Sequence, residues 1–315
     1  MNKLKSEQIV TQNTAVSSQS WQWLTAALIA QVGWGAYPVL LRYLQTVSGL
    51  PSLSLLAAGN LAVLLVVVAF LWPRIHKAQF RLPIVWLFGF MVVVRGVSNL
   101  LATRFTLAVY AQLIYLLTPF LVALLSRVFL REGLPRYTFR ALIISLVGVL
   151  LVLSGSFNEI GVVTAVPRQD ALGISLAIGS SLALALYMIL TRRTAHYHVT
   201  GDALLLVHLF SLFSFSAVAS LLLGEDWGRW ATLSPQDWLI FAVLAFGVLL
   251  GANLGQIRTI QKLGAPLVSS LMAIRLVSAL VIGAILLHEQ LSSLWQLAGA
   301  VIVIVTITWF LRRQM

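Results

Sequence analysis

Cysteine is absent from the 315 residues, which excludes disulfides, thiolate metal sites and a cysteine nucleophile. Acidic residues are scarce, nine Asp and Glu against 21 Lys and Arg. All of them fall in predicted loops or helix ends, so an intramembrane aspartyl pair is excluded and proton coupling lacks an obvious carboxylate carrier. Charge of either sign amounts to only 10% of the chain, less than half of what soluble domains carry, while 60% is apolar. Such a chain is a polytopic membrane protein. Its net charge of +12 is no nucleic-acid footprint, because no soluble basic face accompanies it.

A helix needs about 20 apolar residues to cross hydrocarbon roughly 30 Å thick. The chain divides into ten such segments, at about 21–44, 52–72, 83–102, 106–130, 137–154, 171–191, 203–223, 236–257, 265–287 and 293–311. Seven of the nine prolines fall at segment ends or in loops, where a missing N–H costs least; Pro38 and Pro119 lie inside. Many tryptophans, including Trp21, Trp72, Trp238 and Trp309, lie near ends, as interfacial belts require. Residues 1–20 are polar and rich in Ser, Gln and Thr, and read as a disordered cytoplasmic tail. With the amino terminus inside, 15 Lys and Arg fall on the cytoplasmic side and four, Arg42, Arg104, Arg168 and Arg229, outside. That bias predicts both termini in the cytoplasm and a plasma (inner) membrane location. Anionic lipid is the partner the inner basic loops imply.

Two of the remaining cations stand in mid-membrane. Arg95 lies in LFGFMVVVRGVSNLLA and Arg275 in LVSSLMAIRLVSALVIGAI, neither with an acid to pair with. A guanidinium stays protonated at any physiological pH, and burying it costs at least roughly 2.5 kcal/mol. Both positions are too deep for easy snorkelling, which leaves a structural bridge between helices or an anion as the partner. Asn99 stands one turn beyond Arg95; Asn253 and Gln256 lie in a helix carrying Gly247, Gly251 and Gly255. These polar groups suit interhelical bonding or a ligand, and the glycines suit close packing or approach of backbone to ligand. Helix one adds Gln31, Trp34, Tyr37 and Pro38, with Trp34 and Tyr37 as packing residues or as an aromatic wall.

Residues 106–134 lie over 263–291 without a gap, so that Leu130, Glu132 and Leu134 match Leu287, Glu289 and Leu291, and Asn99 falls on Gln256. Five spans per half is an odd number, which turns the halves upside down to each other, the inverted-repeat plan of many carriers. An Ala-rich helix with a central proline, then LREG or LHEQ, then a glycine-bearing apolar helix (LIISLVGVLLVLSG and WQLAGAVIVIVTI) resembles the drug/metabolite transporter superfamily, EamA type. The second copy departs from the pattern with Leu276 where the first has Pro119, and both lack the glycine before the glutamate. The resemblance implies an all-α membrane fold of ten transmembrane helices in two inverted five-helix repeats, 21–155 and 171–312, joined by an outer linker at 156–170. It further implies that helices one to four and six to nine line a central cavity, with the fifth and tenth peripheral.

Enzyme chemistry finds little footing. His288-Glu289 begins an HExxH zinc motif, but Ser292 replaces the second histidine, and no GxSxG turn is present. No metal or cofactor is expected. The reading is a secondary transporter of a small organic anion, carboxylate or phosphate, acting by alternating access as a monomer or homodimer. Arg95, Arg275, Asn99, Asn253, Gln256, Trp34 and Tyr37 are its expected substrate residues, with Arg275 ahead of Arg95. The alternatives are an exporter of neutral or zwitterionic metabolites such as amino acids, and a non-transporting protein with structural arginines. Substrate identity, direction and coupling ion are not written in the sequence.

Overall fold

The computed structural model describes residues 2–129, 137–153, 169–288 and 293–313, with most side chains from Trp21 onward. Among these residues the structure is helical throughout. In chain order the helices are α1 (Asn2–Arg42), α2 (Ser52–Leu71), α3 (Pro83–Phe105), α4 (Ala108–Tyr115), α5 (Thr118–Phe129) and α6 (Thr138–Leu153). The second half follows with α7 (Asp170–His196), α8 (Gly201–Leu222), α9 (Pro235–Ala242), α10 (Asn253–Leu263), α11 (Ala265–Ser270), α12 (Ala273–Leu286) and α13 (Leu294–Arg312). Residues 2–20, expected as a disordered tail, continue α1 beyond its apolar span, which begins at Trp21. The LREG segment, Glu289 and Gln290 of LHEQ, and nearly all of the 156–170 linker lie outside the described residues.

Among the described residues, eight helical stretches are long and apolar enough to cross a membrane. The expected fifth and tenth spans lie on α6 and α13. They pack on each other: a side chain at Gly148 would stand 2.7 Å from Val303 and 2.9 Å from the Gly299 carbonyl. Their other faces are bare, with Phe139 and Trp295 exposed.

Two of the eight spans are broken. The first chain break in regular helix is at Leu116 and Leu117, where i to i+3 hydrogen bonds replace the α pattern just before Pro119. Its repeat partner breaks at Leu271 and Met272 without any proline. A third span, Pro235–Leu263, passes through a π-helical stretch, Val243–Ala252, and keeps its length. Irregular backbone at this depth is tolerated where protein or a wet cavity surrounds it.

Packing interleaves the halves. Helix α1 lies against α12, α10 and the π stretch of the second half, and α7 lies against α3, α4 and α5 of the first; α2 pairs with α8. Gly35 makes the α1–α12 contact: a Cβ there would fall 2.6 Å from the Arg275 carbonyl oxygen and from Ser278 Cβ. Of the expected glycine row, Gly255 meets Ala30 while Gly247 and Gly251 face only their own helix. Arg42, expected at the outer end of the first span, is buried at the end of α1, donating to the carbonyls of Thr106 at 2.8 Å and Thr103 at 3.3 Å.

Candidate functional site

The interleaving brings the middles of six spans to one level. Trp34, Arg95, Ser180, Asn253 and Arg275 stand near the centre of their own spans, and Tyr115 reaches the same group from nearer one end of Tyr110–Phe129. Each of the seven expected site residues is buried, at 0 to 5% exposure. A cation so far from water has to find its partners among neighbouring side chains, or in a ligand.

The two arginines solve this differently. Arg275, from α12, is held by amides: its Nε donates to Gln31 Oε1 at 2.5 Å and a terminal nitrogen donates to Gln256 Oε1 at 2.6 Å. Arg95, from α3, is held by rings. Its Cζ lies 4.5 Å from the Trp34 ring centroid and 4.9 Å from that of Tyr187. The Trp34 ring also receives Arg275, at 5.6 Å, so one indole is shared by both guanidiniums. A ring face attracts a cation through its quadrupole by about 2 kcal/mol or more when desolvated. Among the described residues the ion pairs are Arg229–Asp226 and Arg258–Asp202, and neither central arginine takes part.

Behind the arginines runs a layer of hydroxyls and amides. Ser180 donates to the Arg95 carbonyl oxygen at 3.0 Å, and Tyr115 bonds Ser180 at 3.1 Å and Asn99, sharing one phenol proton between them. Tyr187 reaches Asn253 Oδ1 at 3.5 Å, a long bond, and packs at 5.0 Å on Phe88. Tyr37 stands edge-on to Trp34, ring centroids 5.2 Å apart. Gln112 donates to the Trp34 carbonyl at 3.1 Å.

All seven expected residues therefore belong to one connected cluster: Trp34 meets both Arg95 and Arg275, Gln256 bonds Arg275, Tyr37 packs on Trp34, Asn253 is reached by Tyr187 beside Arg95, and Asn99 connects through Tyr115 and Ser180 to the Arg95 carbonyl. Gln31 holds a central place, while Tyr115, Tyr187, Ser180 and Gln112 were not expected. In LALALYMIL and QLIYLL a tyrosine reads as core, and its mid-span position was the available signal. His208, also buried, packs edge-on to Tyr187 at 6.0 Å.

Several N–H groups here have no acceptor among the described residues: Trp34 Nε1, Gln31 Nε2, Gln256 Nε2 and Asn253 Nδ2. The two glutamines follow from Arg275. A guanidinium only donates, so each glutamine turns its oxygen inward and leaves its NH2 unpaired. Gln112 Oε1 is an unpaired acceptor beside them.

The chain matches the EamA-like transporter family over residues 21–154 and again over 171–312. No curated protein matches it. Solved structures do: one crystal structure, 16% identical, superposes with a TM-score of 0.59 over 92% of this chain and 98% of its own. At that identity the likeness shows the fold alone.

Proposed function

From the chain's membership of the EamA-like transporter family, we propose that it is a secondary transporter of a small organic anion, working by alternating access around the Arg95–Arg275 cluster. The observation that carries the reading is an imbalance. Two buried guanidiniums and four unpaired N–H groups gather at one level, with no described carboxylate in reach. Unpaired buried donors cost about 1–3 kcal/mol each, and a carboxylate or phosphate would satisfy several together. Low surrounding dielectric strengthens each such contact, and a guanidinium meets both groups bidentately.

The roles divide. Arg95, against rings, is the substrate arginine, because an anion can take its N–H groups without displacing an amide. Arg275, already clamped, supplies charge and holds Gln31 and Gln256 with their NH2 groups turned away from it. This order reverses the one read from sequence. Trp34 spaces the two cations and offers a flat face. A zwitterionic cargo would need an acceptor for its ammonium group, and Gln112 Oε1 supports that second reading.

A thermal-shift screen of the purified protein tests the proposal. At 100 times its dissociation constant an anionic ligand stabilises by about 2.7 kcal/mol. A carboxylate should bind at least tenfold better than its amide, a difference of about 1.4 kcal/mol. Equal binding of acid and amide would remove charge from the account, and preference for amino acids over simple acids would favour the zwitterion.

A further inference from the structure

A second concavity lies on the outside of the bundle, along the seam between the halves. It is a groove of about 370 Å³ with no polar lining, walled by Leu64, Val68 and Trp72 on one side and by Leu206 and Phe210 of α8 on the other, with Phe80 across its end. Leu64 and Val68 of α2 and Trp72 just past its end are four residues apart, so they continue one stripe facing outward. On a membrane-spanning bundle that stripe meets hydrocarbon.

The end of the groove is built differently. Trp72 and Phe80 stack with centroids 6.3 Å apart, and Trp86 donates its Nε1 to the Phe80 carbonyl at 2.8 Å, fixing this aromatic rim. Lys77 Nζ stands 5.6 Å from the Trp72 ring, and exposed Arg81 follows Phe80 directly. No acidic residue occurs between Pro51 and Arg131 to neutralise them. Asp202, the carboxylate at the start of α8, is bound to Arg258 at 2.5 Å. Gln79, in the same cationic segment, accepts from Thr200 N at 3.1 Å, which ties the rim to the beginning of α8.

We propose that this groove holds one acyl chain of an anionic phospholipid, with the phosphate met by Lys77 and Arg81. Its walls reject any polar group, its open side faces lipid, and its cationic rim lies among aromatic residues of the kind that mark headgroup depth. The occupant touches α2 from one half and α8 from the other, so its binding bears on how the halves sit together. Between Val207 and Phe210, His208 points the opposite way, onto Tyr187 and so toward Arg95. This proposal stands apart from the choice of substrate.

Native mass spectrometry of the full chain, released from micelles containing equimolar phosphatidylglycerol and phosphatidylcholine, provides the test. Wild type should retain phosphatidylglycerol over phosphatidylcholine by at least tenfold. Each charge near a membrane surface changes affinity by about fivefold, so Lys77→Gln with Arg81→Gln should bring the two lipids close to parity. Val68→Trp, which fills the groove, should lose retained lipid of both kinds. Equal retention of both lipids by wild type would overturn the proposal, as would unchanged selectivity in the double glutamine variant, whose substitutions lie at the surface and spare the fold.

Discussion

At the scale of the residue, the two central arginines differ in what their loss would leave behind. Removing Arg275 strands the oxygens of Gln31 and Gln256 in the bundle interior, and a stranded buried acceptor costs about 1–3 kcal/mol. Arg275→Met should therefore lower thermal stability measurably in detergent. Arg95→Gln, which strands no amide, should stay close to wild type in the same melt; the reverse order would show that Arg95 is the structural cation. Both arginines were legible in the sequence, since a permanent charge in an apolar run is conspicuous. Their neighbours were less so. Tyr115 and Tyr187 carry apolar rings that pattern like core, and their hydroxyls gain meaning only once α4 and α7 stand beside α3.

Among the elements, the broken helices show how far pattern alone reaches. Pro119 announces the break before α5, because a proline inside a helix removes a hydrogen bond and clashes with the preceding turn. The matching break before α12 has no such mark, and Leu276 occupies the place equivalent to Pro119. The α1–α12 contact beside it depends on Gly35. Gly35→Val should push the helices apart and cost about 1–3 kcal/mol, read as a lower melting temperature with weakened ligand binding. Another element-level device joins the halves at the opposite end from the lipid groove. Glu225, following α8, accepts from the backbone N–H groups of Leu53 at 3.0 Å and Ser54 at 2.6 Å, and from Ser220 at 2.8 Å. A carboxylate on the first turn of α2 meets its positive dipole end. Glu225→Gln keeps the shape and removes the charge, and should lower stability by roughly 0.5–2 kcal/mol, with the loss shrinking in high salt. No salt dependence would mean the charge does not matter there.

For the molecule as a whole, repeat, class and membrane character were all in the sequence, because hydropathy and punctuation are local properties. Interleaving was not. That α1 joins the second half and α7 the first is a matter of packing, and it alone explains why residues from six spans meet. Orientation rests on the charge bias, and the absence of cysteine makes it easy to check. A lone cysteine in place of exposed Arg229 should react with impermeant thiol reagents on intact cells, while one in place of Lys77 should react only after permeabilisation; the opposite pattern would invert the topology. The central claim is that Arg95 carries the anion. Exchange of a bound acid in proteoliposomes measures it directly: Arg95→Gln should insert and purify as wild type while exchange falls ten- to a hundredfold, the loss expected of one charge-assisted contact of about 1.5–3 kcal/mol, with Arg95→Lys recovering part of it. Exchange at the wild-type rate by the glutamine variant would contradict the account.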